Sequence, residues 1–154
     1  MPQGLALCAN TLEGRWQRTF PGCALERLFD IASDIEAYPG FIPGCVATRI
    51  LRRPSESVWM VDNIFGFGPV RTRFATKAIV ERPRRLSISS NDGPWQDFSL
   101  VWEFAELEGL ATVFCRFSLE FRSALLNQMA RICAPEIERQ VIKAFEKRAL
   151  NERA

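Results

Sequence analysis

Residues Ser123 to Arg148 read SALLNQMARICAPEIERQVIKAFEKR, and this stretch decides the fold. Ser123 is placed to cap a helix, because its hydroxyl can accept from a free amide of the first turn. Leu125, Leu126, Met129, Ile132, Cys133, Ile137, Val141, Ala144 and Phe145 recur at i, i+3/i+4, i+7. Arg131, Glu136, Glu138, Arg139, Lys143, Glu146, Lys147 and Arg148 occupy the other face. The spacing predicts one long helix, roughly 40 Å at about 1.5 Å per residue. Pro135 removes a hydrogen bond and crowds the turn before it, so a kink or a junction of two helices is expected there. An apolar stripe of this length needs a surface to lie on. The rest of the chain reads as strands, so the simplest arrangement is a curved sheet wrapped around the helix.

Working back from the helix, Ala111 to Phe121 alternates with Val113, Cys115, Phe117, Leu119 and Phe121 in phase. Trp95 to Phe104 does the same with Phe98, Leu100, Trp102 and Phe104. Leu86–Ser90, Val70–Glu81, Val58–Phe65 and Val46–Arg53 are further strands. Their breaks are Asn91-Asp92-Gly93-Pro94, Pro83, Gly66-Phe67-Gly68-Pro69 and Pro54-Ser55, and Gly109 separates the last two strands. Leu12–Phe20 is a first strand, ended by Pro21-Gly22. Leu25, Leu28, Phe29, Ala32 and Ile35 give a helix of about three turns, and Pro39 and Pro43 stiffen the connection Tyr38–Cys45. Short turns between strands mean an antiparallel sheet. The expected class is α+β, with about seven strands around a long C-terminal helix. Residues 12–150 form one domain, and 1–11 read as a loose tail without a targeting signal.

Composition excludes several chemistries. The chain has 154 residues, 47% hydrophobic and 25% charged, with a net charge of +2. That is an ordinary globular composition, too weakly basic to argue for a polyanion, and no DNA partner is expected. No histidine is present, which removes the commonest general base and metal ligand. The five cysteines, Cys8, Cys23, Cys45, Cys115 and Cys133, contain no CxxC pair. Free thiols are expected, with no metal site and no cofactor. No apolar run approaches the roughly 20 residues of a membrane span. The expected location is cytoplasmic, with any bilayer contact peripheral to the inner membrane.

A strongly curved sheet can stand off its helix and leave a cavity. The large inward candidates are Trp16, Phe74, Phe98, Trp102, Phe117, Met129 and Phe145, which either fill a solid core or wall a tunnel. Tyr38, Phe41 and Ile42 on the proline-stiffened connection either gate its mouth or cap the core. Trp95 sits at a tunnel edge or packs on a neighbouring strand. Val141 and Phe145 line the cavity or belong to the core. Asp62 and Asn63 lie mid-strand and are expected to face outward; facing inward, either could hydrogen-bond a ligand oxygen. No nucleophile–base pair or phosphate loop is visible, so catalytic residues are not assigned.

Several runs together resemble a known family. They are Leu28-Phe29-Asp30, Asp34-Ile35-Glu36-Ala37-Tyr38-Pro39-Gly40-Phe41-Ile42-Pro43-Gly44-Cys45, Asp92-Gly93-Pro94-Trp95, Trp102-Glu103-Phe104 and Phe121-Arg122-Ser123. The sequence is similar from about Leu12 to Ala149 to the coenzyme Q-binding and polyketide cyclase-like proteins, whose fold is the helix-grip fold of START-like domains. One departure is Gly44, where relatives often carry tryptophan. The resemblance implies an apolar tunnel between sheet and helix that binds a polyprenyl quinone such as ubiquinone, or a related lipid, without catalysis. The family also includes the bacterial ribosome-association toxin, so a regulator that blocks ribosomal subunit association is the alternative. A polyketide cyclase or aromatase is the third. Arg49, Arg52 and Arg53 with Arg82, Arg84 and Arg85 form two basic clusters at strand ends. They are either a solvated rim or a surface for ribosomal RNA or anionic headgroups.

Overall fold

Five of the turns named above close hairpins, and with them most of a single antiparallel sheet. In a computed structural model the described residues are 5–8, 11–67 and 69–151. The elements run β1 (Leu5–Cys8), β2 (Thr11–Thr19), α1 (Leu25–Ser33), a 3₁₀ segment (Ile35–Gly40), β3 (Cys45–Ser55), β4 (Val58–Phe67), β5 (Val70–Glu81), β6 (Arg85–Ser90), β7 (Trp95–Leu107), β8 (Leu110–Phe121) and α2 (Ala124–Asn151). The strand order is β1-β2-β8-β7-β6-β5-β4-β3. Each neighbouring pair is antiparallel. The class is α+β, with the sheet folded around α2 in a helix-grip arrangement.

The seven expected strands are present, and an eighth precedes them. Leu5–Cys8, expected within a loose tail, pairs with β2 from Leu5↔Gly14 to Cys8↔Thr11. Four residues are too short for alternation to register in the sequence. Residues 1–4 and 9–10 of that expected tail lie outside the described ones.

α2 begins as its sequence requires. The Ser123 hydroxyl accepts from the Leu126 amide at 3.2 Å. Asn127 is buried and clamps the start of the helix to the end of β8: its Oδ1 accepts from Phe121 N at 2.7 Å and its Nδ2 donates to Phe121 O at 3.0 Å. Pro135 does not divide the helix, which runs through it to Asn151. The proline is on the exposed face, where water can serve the carbonyl it leaves free.

The expected apolar stripe is only partly the buried one. Leu125 and Ile132 are 64% and 80% exposed, while Asn127, Ala134, Ile142, Phe145 and Ala149 are buried. Apolar residues surround this helix, so two overlapping stripes satisfy the same spacing. The sheet takes the one with the smaller side chains at its N-terminal half.

α1 and the 3₁₀ segment close one end of the grip. Leu28, Phe29, Ile31 and Ala32 of α1 are buried, and Phe29 meets Phe104 edge-on at 5.5 Å. Phe145 of α2 stacks on Trp102 at 5.3 Å and meets Phe20 at 5.7 Å. This end is solid. The 3₁₀ segment is tied to β3, because Thr48 Oγ1 donates to Ile35 O at 2.6 Å and Ile50 N donates to Glu36 Oε2 at 2.9 Å. Arg82 joins the end of β5 to α1 through a two-pronged pair with Asp30, 3.0 and 3.1 Å.

Candidate functional site

The inward rows of the sheet do not all reach α2. Row by row, the pairings place Phe98 beside Leu119, Leu100 beside Phe117 and Trp102 beside Cys115 on β7 and β8. Cys115 in turn faces Trp16 on β2. Between these rows and the N-terminal half of α2 lies a cavity of about 350 Å³, at the lower end of the range for small-molecule sites.

Its floor is the sheet: Trp16, Phe74, Trp95, Phe98, Leu100, Trp102, Phe117 and Phe121 contribute the large side chains. Its roof is α2, from Leu126 and Met129 to Val141. Tyr38, Ile42 and Pro43 of the proline-stiffened connection complete one wall. Met129, Cys133 and Ile137 line the cavity and are also exposed, and Ile42, Pro43 and Phe65 opposite them are half-buried, which places the mouth along this side of α2.

Trp95 reaches the cavity through a local irregularity. Strict alternation from Phe98, Leu100 and Trp102 would turn an odd-numbered residue outward. A register shift between Trp95 and Asp97 reverses the phase, as a bulge does. Trp95 is thereby buried, stacked on Phe121 at 4.3 Å and edge-on to Phe74 at 5.6 Å.

Two expected wall residues lie elsewhere. Phe145 is fully buried behind Trp102, in the solid end of the core. Phe41 is buried against Tyr38 at 5.2 Å, under the Arg148 guanidinium at 5.4 Å, and does not reach the cavity. The other nine, Trp16, Tyr38, Phe74, Trp95, Phe98, Trp102, Phe117, Met129 and Val141, are brought together around it.

Polar groups on the wall are few. Asn63, expected to face outward, points inward and is buried. Its Nδ2 donates to Phe74 O at 3.2 Å and to Thr76 Oγ1 at 3.0 Å. Its neighbours in phase, Val61 and Phe65, carried the signal that could have placed it. Asp62 does face outward, where Arg73 grips both carboxylate oxygens at 2.9 and 2.6 Å and holds its pKa below the usual value. The Tyr38 hydroxyl donates to Ala32 O at 2.5 Å, and burial pushes its pKa well above the ordinary tyrosine value. Burial also raises Cys115, assisted by the charge of Glu138, and pushes Cys45 up to about 11. Glu138 was expected on the charged outer face. It lines the cavity instead, and burial raises its carboxyl against the opposing pull of Arg18.

The two arginine clusters are separate. Arg49, Arg52 and Arg53 are exposed along β3, an edge strand, with the Arg53 guanidinium 4.9 Å above the Trp59 ring. Arg82 and Arg85, at the β5–β6 turn, are paired to Asp30 and to Glu103 at 3.6 Å; Arg84 between them is exposed. No helix among the described residues is long and apolar enough to cross a membrane.

Comparison with known proteins agrees with this geometry. Among solved structures, the aromatase/cyclase Zhui from Streptomyces superposes with a TM-score of 0.75 over 90% of this chain and 93% of its own, at 11% identity, a likeness of fold. An 18 kDa protein of Caulobacter crescentus has a TM-score of 0.69 at 27% identity, covering 90% of this chain and 96% of that one. The mitochondrial coenzyme Q-binding protein COQ10 homolog B of Xenopus laevis is 29% identical over 134 residues, 83% of this chain and 54% of that protein. The ribosome association toxin RatA of Pseudomonas aeruginosa is 29% identical over 93 residues, 60% of this chain and 62% of that protein. The matched region thus spans little more than half the length of these two relatives. The family model described as polyketide cyclase / dehydrase and lipid transport matches residues 22–146, from the turn before α1 nearly to the end of α2. With strands β3 to β8 and most of the gripped helix inside that match, the chain belongs to the polyketide cyclase / dehydrase and lipid transport family.

Proposed function

We propose that this chain binds a hydrophobic ligand, an isoprenoid quinone, in the cavity under α2, and does so without catalysis. The observation that carries the reading is the cavity itself: about 350 Å³, walled almost wholly by aromatic and aliphatic side chains, with a mouth beside Met129 and Cys133. Removing about 300 Å² of ligand surface from water at roughly 25 cal/mol per Å² contributes about 7 kcal/mol before the cost of association. The volume suits a ring and its first isoprene units, with a longer tail leaving through the mouth. The relative named as a coenzyme Q-binding protein supports the choice of a quinone. Catalysis is left out because the sequence has no histidine, and the buried thiols Cys45 and Cys115 are held protonated. Leu125 and Ile132, exposed on α2 beside the mouth, would meet a bilayer peripherally during exchange of the ligand.

The test is an organic extraction of gently purified protein, read by mass spectrometry, followed by titration of the stripped protein with ubiquinone. A quinone or other isoprenoid at near one per chain is the expected result. A clean extract together with no saturable uptake of ubiquinone refutes it.

One observation favours a second reading, a ribosome-associated regulator: the exposed arginines Arg49, Arg52 and Arg53 along edge strand β3. It predicts salt-dependent binding to ribosomal subunits that is lost when these three are reversed to glutamate. The relatives named as ribosome association toxins support it.

A further inference from the structure

We propose that the cavity holds a hydroxyl-selecting subsite on its β4–β5 wall, where Asn63 Oδ1 accepts a ligand O–H and the Thr76 hydroxyl donates to the same ligand oxygen. The inference rests on the hydrophobic-ligand reading and deepens it: of the two redox forms of a quinone, the site fits the reduced quinol.

Both side chains line the cavity, and both are buried, at 6% and 4% exposure. Asn63 stands on β4 opposite Phe74 of β5, and Thr76 follows Phe74 on the same face of β5. The Asn63 amide is held in one orientation. Its Nδ2 faces Thr76 Oγ1 at 3.0 Å, Phe74 O at 3.2 Å and Val61 O at 3.4 Å. Two of these three are backbone carbonyls, which only accept, so a flipped amide would set oxygen against oxygen. Both N–H groups are therefore spent within the wall, and Oδ1 is left for another partner.

That oxygen makes no hydrogen bond among the described residues. Nor is it sealed in, as the unpartnered Trp95 Nε1 is; it keeps open surface, and on a buried side chain of the cavity wall that surface faces the cavity. Thr76 Oγ1 accepts from Asn63, and its own proton goes to no acceptor among the described residues. Asn127, the buried amide outside the cavity, differs: its oxygen and its nitrogen are both used on Phe121. An acceptor left open in an apolar hollow is costly until a donor reaches it. A fixed acceptor and a free hydroxyl thus stand side by side on an otherwise apolar wall.

This pair discriminates by the ligand's proton. A hydroxyl gives its hydrogen to Asn63 Oδ1 and accepts from Thr76, so both groups are met. A quinone carbonyl has lone pairs only: it can take the Thr76 proton, but it sets its own oxygen against Oδ1. An ether does no better, and a hydrocarbon meets neither group. Phe65, in phase with Asn63 on β4, and Phe74, directly across from it, also line the cavity, with ring centroids 5.3 Å apart. Aromatic walls on both sides suit a hydroxyl carried on a ring. A hydroxylated ring with an isoprenoid tail is a quinol.

The experiment uses the full chain, stripped of lipid, and two ligand pairs that differ in the donor. Ubiquinol-2, kept reduced under argon, is compared with ubiquinone-2, and farnesol with farnesyl methyl ether, by calorimetric titration. Each hydroxyl form is expected to bind about tenfold more tightly than its counterpart, the size of one hydrogen bond. Asn63→Leu, similar in volume but without the acceptor, is expected to erase the preference. It should weaken ubiquinol-2 and farnesol about tenfold and leave ubiquinone-2 and the ether within about twofold, since the apolar wall is kept. If Asn63→Leu does not fold, the two ligand pairs on the wild-type protein carry the test, and the farnesol pair needs no redox control. Equal affinities within either pair, as a water bridging Asn63 and Thr76 would give, overturn the subsite and leave the hydrophobic-ligand reading standing. A preference that survives Asn63→Leu overturns the assignment to Asn63. Binding of none of the four ligands refutes the hydrophobic-ligand reading and the subsite together.

Discussion

Ala134→Leu distinguishes a hollow grip from a solid one by the sign of its effect. Ala134 is buried on α2 and lines the cavity. In a close-packed core, three extra carbons at such a position force neighbours aside and cost about 1–3 kcal/mol. Above a cavity of about 350 Å³ they enter empty space instead. Each buried carbon then contributes about 0.8 kcal/mol, or about 2.4 in all, and fixing the leucine rotamer returns about 0.5–1. The net is a stabilisation of about 1.5 kcal/mol, which for a domain of this size raises Tm by about 3–6 °C. The comparison needs protein stripped of lipid, because a bound ligand would lift the wild type alone through mass action. Thermal melts read by circular dichroism give the stability. Titration with ubiquinone gives the second arm, since the same carbons occupy ligand space and should weaken uptake at least about tenfold. A Tm lowered by several degrees, or a raised Tm with unchanged ubiquinone uptake, refutes the cavity argument.

The remaining predictions concern the mouth and the far end of the cavity. Cys133 is exposed at the mouth, whereas Cys45 and Cys115 are buried with raised pKa values, so maleimide at neutral pH should label Cys133 well before either of them. Saturating ubiquinone should slow that labelling several-fold, as timed by mass spectrometry; equal rates with and without ligand would place the mouth elsewhere. Gly93 turns at φ 62°, and a Cβ there would stand 2.8 Å from Phe74 Cβ and 2.9 Å from Arg73 O. Gly93→Ala should therefore cost about 2 kcal/mol or more in urea unfolding, through strain and contact together. A loss below about 0.5 kcal/mol would show that the turn relaxes freely.

Much of the fold was legible because its punctuation is local. Proline and glycine mark the turns, so β5 is found at Val70–Glu81 from the sequence alone and the other strands except β1 within a few residues. What was not legible depends on phase. The spacing on α2 admits two apolar stripes, and only the sheet decides that Leu125 and Ile132 face water while Ala134 and Glu138 face the cavity. Trp95 changes face through a bulge that alternation cannot foresee. Asn63 shared its phase with Val61 and Phe65, but polarity argued for the opposite face until Thr76 and the Phe74 carbonyl were seen to meet it. Whether Phe145 walls a cavity or fills a core is a question of how far helix and sheet stand apart, and no residue pattern encodes that distance.

That distance is set by a division of labour along α2. Its C-terminal half is clamped: Phe145 lies between Trp102 and Phe20, and Ile142 and Ala149 are buried with it. α1 fills the same end through Leu28 and Phe29. Its N-terminal end is held by polar contacts, Ser123 on Leu126 and Asn127 on Phe121, which fix the helix without needing large side chains beneath it. Between these two supports the helix spans the sheet like a beam, and the residues it turns downward, Ala130 and Ala134, are too small to reach Phe98 and Leu100 and close the space. The hollow is therefore a product of anchoring at both ends, with Trp102 against the solid core at one and Trp95 against Phe121 at the other.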